Sequence, residues 1–154
     1  TMMARMTSNG CRGRIGKRAM ETSRPPQERY WTASSMEQLA NMFGLHFDSG
    51  MQDWPYEVAD PVKAEQYLRV LTTQNLPPDI RFTLLDMVLE SVEESDLDLA
   101  NSTAGDKLAE YITKNFDLHA YQVWYWAALE QTPADAFRIS PFLQRIWSTA
   151  NASR

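Results

Sequence analysis

Between Leu76 and Ser95 the sequence LPPDIRFTLLDMVLESVEES describes a helix with almost no exterior. Pro77-Pro78 breaks the preceding element and Asp79 stands where a cap is needed. At about 100° per residue, Ile80, Phe82, Leu84, Leu85, Met87, Val88, Leu89 and Val92 sweep more than half of the helical wheel. A helix apolar over that much of its circumference must be covered from several sides, so the rest of the chain has to supply packing partners.

The partners are legible as further helices. Met36, Leu39, Ala40 and Phe43 recur at i, i+3, i+4 and i+7, with Ser35 and Gln38 as a capping-box pair and Gly44 as the stop. The following LHFDSGMQDWPYEVADP reads as a loop, with Trp54 and Tyr56 tucked onto the core. Asp60-Pro61 is an N-cap followed by proline, opening a helix whose buried stripe is Ala64, Tyr67, Leu68 and Leu71. A fourth helix near 104–115 carries Leu108, Tyr111, Ile112 and Phe116 on one side, with Glu110 and Lys114 paired on the other. In NFDLHAYQVWYWAALEQ, residues 115–131, apolar side chains point in nearly every direction, and His119, Gln122 and Glu130 share one narrow polar strip. Such a helix is expected to be the central post. Thr132-Pro133 and Ser140-Pro141 are two more starts, the second leading Phe142, Leu143, Ile146 and Trp147 inward. Strand-like alternation is absent. The expectation is an all-α fold, a single-domain bundle of five to six helices over residues 34–150 with a central aromatic-rich helix.

Charge separates this domain from what precedes it. Residues 1–30 hold seven bases against two acids, whereas the remainder holds eight bases against eighteen acids. Residues 1–33 show no apolar period, so they read as a basic, disordered extension whose burial could not offset the entropy of ordering. The acidic remainder disfavours nucleic acid as a partner of the folded part, because stacking platforms for bases need a basic groove around the rings. No window approaches the length of a membrane span, and the first thirty residues lack the apolar core of a secretory signal. The single cysteine, Cys11, can form no internal bridge. A cytoplasmic protein is expected.

Constellations for catalysis or cofactors fail on spacing. Gly10, Gly13 and Gly16 lack the Gly-Lys-Ser/Thr ending of a phosphate loop. Asp96 and Asp98 begin an Asp-x-Asp pattern that ends with lysine where a calcium loop needs glutamate. Cys11 has no fixed histidine. No catalytic residue, metal site or cofactor is assigned, and a non-enzyme is expected.

Two candidate sites remain. Asp86, Glu90 and Glu93 fall at i, i+4 and i+7, with Glu94, Asp96 and Asp98 beside or beyond them, and no lysine or arginine is positioned to pair along that face. Like charges at such spacing cost about 0.2 to 0.5 kcal/mol per pair in an isolated helix, and acids near a helix C-terminus oppose its dipole. The plain reading is a solvated face; the functional one is a docking surface for a basic partner. The wheel sets Asp86, Glu90 and Glu93 opposite the apolar arc, which predicts that all three are exposed. The alternative site is an aromatic pocket for a small ligand or substrate near His119, Trp124 and Trp126.

The order of Trp54, Asp60-Pro61, LPPDIRFTLLDMVLES and NFDLHAYQVWYWA resembles small all-α bacterial proteins, among them immunity proteins that neutralise toxins. The likeness covers roughly residues 36–147 and rests on core pattern, so it transfers no site residue. It implies an acidic cytoplasmic binder that blocks a basic toxin surface.

Overall fold

The computed structural model describes residues 24–152, so Cys11 and most of the basic extension lie outside the described residues. Among the described residues the chain is all-helical, with seven α-helices and no strand. They are α1 (Ala33–Phe43), α2 (Trp54–Glu57), α3 (Ala64–Thr73), α4 (Pro78–Glu93), α5 (Thr103–Lys114), α6 (Phe116–Ala127) and α7 (Ser140–Ala152), with 3₁₀ turns at Pro61–Lys63 and Leu99–Asn101. The count exceeds the expected five to six because the loop before Asp60 contains the single turn α2. There Tyr56 and Glu57 donate to the Asp53 carbonyl and Val58 donates to that of Trp54. The Trp54 ring is buried and its Nε1 donates to the His46 carbonyl at 2.6 Å. By contact the described residues form two compact units, Arg29–Lys114 and residues 24–28 with 115–152.

In Arg29–Lys114 the organising element is α4. Every residue from 82 to 89 is buried, and α4 packs against α1, α2, α3 and the 3₁₀ turn at Pro61–Lys63. An enclosed helix must still satisfy its polar side chains, and three of them do so by tying down other segments. The Thr83 hydroxyl lies 2.7 Å from that of Ser35 on α1. Asp86 accepts from the Trp31 indole at 2.9 Å. Ser91 accepts from the Asp60 backbone N–H at 3.0 Å, just ahead of the Pro61–Lys63 turn.

Helix starts follow the expected chemistry with instructive exceptions. Asp60 caps as expected, accepting from the Val62 N–H. In α1 the capping box is made by Thr32 and Ser35, three residues upstream of the expected Ser35–Gln38 pair. Ser35 is thereby freed to face α4, and Gln38 bonds Ser34 instead. Asp79 does not cap α4, whose N-cap is Pro77; its carboxylate lies in the first turn and pairs with Arg29. Gly44 ends α1 as expected, in the left-handed conformation at φ 67°.

Residues 115–152 are built on α6 against α7. Helix α6 stops without a glycine: Ala128 takes the left-handed cap position at φ 50°, a conformation costing a non-glycine residue about 1 kcal/mol. The last carbonyls of α6 are then satisfied from α7, where Ser140 donates to Trp126 and Gln144 to Ala127, both at 2.8 Å. Ser140, expected as the start of this helix, stands there but is buried, and it also accepts from the Phe137 N–H.

Gly105 in α5 is required by close approach. A Cβ there would lie 1.8 Å from the Leu99 carbonyl oxygen in the neighbouring 3₁₀ turn. Helix propensity favours alanine over glycine by about 1 kcal/mol, but overpacking against backbone costs about 1 to 3 kcal/mol or more, so the clash prevails. Gly105→Ala is expected to destabilise the protein by roughly 2 kcal/mol beyond the propensity gain, read as a lower urea midpoint; an unchanged or higher midpoint would show that the turn yields freely.

Tyr67 is fully buried, edge-on to Phe43 with ring centroids 4.8 Å apart, and its hydroxyl meets no hydrogen-bond partner among the described residues. Burial, and secondarily the Asp60 charge, raise its pKa above the ordinary 10.0. Burial also raises Tyr111, with Arg81 acting in the opposite sense. A phenol whose folded-state pKa is raised favours the fold while protonated. That contribution is complete below about pH 10 and is lost as pH climbs through the folded-state value. Stability is therefore expected to fall above pH 10. Tyr67→Phe removes the unmet hydroxyl and should raise stability at neutral pH by about 1 kcal/mol while flattening the alkaline decline in a pH series of denaturation curves.

Candidate functional site

The residues at issue lie along α4 and just beyond it. Asp86 was expected at the surface but is buried, only 5% exposed. Viewed alone, α4 presents Asp86 outward. In the folded chain the segment before α1 crosses that face, Trp31 donates its indole N–H to the carboxylate, and the Trp31 ring stands edge-on to Tyr56 at 5.1 Å and 87°. A carboxylate in such a place needs donors, because burying it without them costs several kcal/mol.

One turn and two turns back along the same stripe, Phe82 and Asp79 receive Arg29. Its guanidinium pairs with the Asp79 carboxylate at 2.5 Å and stands 5.4 Å from the centre of the Phe82 ring. Residues 29–32, placed by sequence in the basic extension, thus engage α4 through two side chains. The Arg29–Asp79 pair is weak on its own: the side chains are 41% and 54% exposed, and exposed pairs contribute about 0 to 1 kcal/mol.

The remaining acids keep more of their surface. Glu90 and Glu93 are half-buried, while Glu94, Asp96 and Asp98 are exposed. No basic residue occupies the last turn of α4. The chain turns there because the Ser95 hydroxyl donates to the Val92 carbonyl and accepts from the Leu97 N–H. Asp98 is a structural cap as well, accepting from the Ala100 N–H at 3.0 Å and from the Asn101 side chain at 2.9 Å. Acidity is concentrated in this unit: residues 29–114 hold six Lys and Arg against fifteen Asp and Glu, and residues 115–152 hold two against three.

The alternative site is not gathered in one place. His119 and Trp126 are fully enclosed and, seven residues apart, share one side of α6. Trp124 points the other way, half-exposed beside Tyr121 with centroids 5.5 Å apart. His119 Nδ1 lies 2.7 Å from Gln122 Oε1; since an amide oxygen only accepts, Nδ1 carries the hydrogen. The wheel had set His119, Gln122 and Glu130 together on one narrow polar strip of a helix expected to be buried. In the fold His119 and Gln122 are buried, and the edge at Asp117, Leu118, Tyr121 and Trp124 is exposed or half-exposed. Expected all-round burial of α6 therefore fails along that edge. Trp126 packs on Phe137 at 4.5 Å, as a core ring.

Among the described residues no group of three or more His, Cys, Asp and Glu side chains could hold a metal ion, and no helix is long and apolar enough to cross a membrane. Compared with known proteins, the chain matches no family model, no curated sequence and no solved structure.

The Trp31–Asp86 bond was invisible to a wheel because its partners are 55 positions apart. Trp31→Phe leaves an aromatic ring to face Tyr56 and removes the N–H donor with the rest of the indole. It is expected to cost about 1 to 3 kcal/mol, the range for weakening the satisfaction of a buried charged acceptor. With Asp86→Asn in the background the cost should shrink, so a double-mutant cycle by urea denaturation checks the coupling.

Proposed function

We propose that the chain is a non-catalytic protein-interaction domain whose acidic surface docks a partner protein with a basic surface. The observation that carries this reading is the end of α4. Glu93, Glu94 and Asp96 succeed one another with Glu90 behind them, at the negative end of a helix dipole, with no basic residue in the last turn. Such an arrangement is costly for the fold and useful for association, where a concentrated potential of one sign steers an oppositely charged surface. Asp86 lies beneath the surface against Trp31 and Asp98 holds its turn, so both are set apart from this group.

The resemblance to toxin-neutralising immunity proteins fits this scheme: a small acidic helical protein would cover and block a basic toxin surface. An aromatic ligand pocket around His119, Trp124 and Trp126 has less support, since α6 directs Trp124 away from the other two.

The test replaces Glu93 and Glu94 by glutamine and Asp96 by asparagine. Folding should be retained or slightly improved, by a few tenths of a kcal/mol per relieved repulsion. For a basic partner recovered by affinity capture, the association rate at low salt is expected to fall about tenfold and its salt dependence to flatten. Unchanged association kinetics across the salt series would return these carboxylates to the role of a solvated face.

A further inference from the structure

The stripe Asp79, Phe82, Asp86 is already reading a ligand, supplied by the chain itself. Residues 25–32 carry no helix or strand, yet two of their side chains sit on three positions of α4 spaced i, i+3 and i+7. The contacts differ in chemistry. A rim carboxylate and an aromatic face receive a guanidinium, at 2.5 Å and 5.4 Å, and a buried carboxylate receives an indole N–H at 2.9 Å. The Trp31 ring is seated edge-on against Tyr56 as well. Between them Tyr30 turns away, and it is the most exposed ring in the segment at 70%. The pattern therefore recognises a cation followed two residues later by an aromatic N–H donor in a segment with neither helix nor strand, and ignores the residue between.

We infer that this stripe of α4 is a docking site for a partner's basic-aromatic peptide segment, and that Arg29 and Trp31 occupy it as an internal pseudo-ligand until such a segment displaces them. The inference rests on the proposed binding of a basic partner and names the site and the kind of segment. Charge complementarity supports it: the stripe holds two carboxylates, in a unit with six bases against fifteen acids. The seated arm supports it more directly, because it shows the matching chemistry in place. Displacement is feasible because the outer half of the clasp is an ion pair with both side chains substantially exposed. The inner half is what gives selectivity. Asp86 is only 5% exposed and takes its indole donor from a ring seated against Tyr56, so the segment must place an aromatic N–H there and not merely a charge.

A tethered arm competes with any external segment, so the apparent affinity of that segment is reduced by the fraction of molecules whose stripe is free. If the arm is seated in about nine molecules of ten, releasing it raises apparent affinity about tenfold. The probe is a fluorescent synthetic peptide with the sequence of residues 27–34, titrated into the full chain by anisotropy. Arg29→Ala combined with Trp31→Phe is expected to bind it at least about tenfold more tightly than the unaltered chain. A peptide with alanine at the positions of Arg29 and Trp31 should lose that binding, as should Asp86→Asn in the released variant. Arg29→Ala alone, which removes the exposed ion pair and the contact with the Phe82 ring but leaves Trp31 in place, should give an intermediate gain; it serves as the reading if the double variant fails to fold by circular dichroism. No gain on release, or equal binding of the alanine peptide, overturns the inference. Glu93→Gln, Glu94→Gln and Asp96→Asn together should leave peptide binding within twofold. If that triple change abolishes partner binding while arm release alters nothing, the stripe is refuted and the acidic end of α4 stands as the docking surface.

Discussion

The structure of Arg29–Lys114 depends on the requirement that a buried helix leave none of its polar side chains unmet. Helix α4 is enclosed from Phe82 to Leu89, and apolar contact alone would let its neighbours slide, since the hydrophobic effect is not directional. Thr83, Asp86 and Ser91 remove that freedom. Each is buried and each engages a different segment: Ser35 on α1, Trp31 ahead of α1, and the Asp60 N–H ahead of α3. Displacing any of these segments by one residue would strand a polar group in a low-dielectric site, at about 1 to 3 kcal/mol. The same rule organises residues 115–152, where Ser140 and His119 are enclosed and bonded to Trp126 and Gln122.

This rule also changes the meaning of the acidic residues. Carboxylates that look equivalent along α4 have three separate occupations. Asp86 is an internal acceptor, Asp98 caps a 3₁₀ turn, and Glu93, Glu94 and Asp96 are left where water or a partner can reach them. Acids gathered at the C-terminal end of a helix oppose its dipole, so this last group sits where the helix itself gains least from negative charge. The segment that donates to Asp86 carries Arg29 and Trp31, so the fold contains, in residues 29–31, a sample of the chemistry that the proposed docking of a basic partner would use.

Much of the architecture was legible from the chain alone. Helical periodicity, Asp60-Pro61 and Gly44 marked α1, α3, α4 and α5 within a few residues, because capping and apolar spacing are local properties. The one-turn α2 was not legible, since four residues carry no period. The end of α6 gave no signal either: Ala128 occupies a position that glycine would announce, and its strain is held by contacts with α7. The capping residue of α1 was misassigned because Ser35 satisfies both local patterns, and only its contact with Thr83 distinguishes them.

Sequence by itself determined that the described residues are all-helical, where most of their helices begin and end, and that the acid is concentrated after the basic N-terminal segment. Those follow from spacing and composition over at most a few turns of chain. Tertiary structure decided which side of each helix is inside. A wheel ranks faces by their own residues, yet Asp86 went inward because Trp31 brought a donor across it, and His119 and Gln122 went inward because they could satisfy each other. Tyr121 and Trp124 were left half-exposed on the opposite edge. Burial of a polar group is settled by a partner, and partners distant in sequence become neighbours only when the chain has folded.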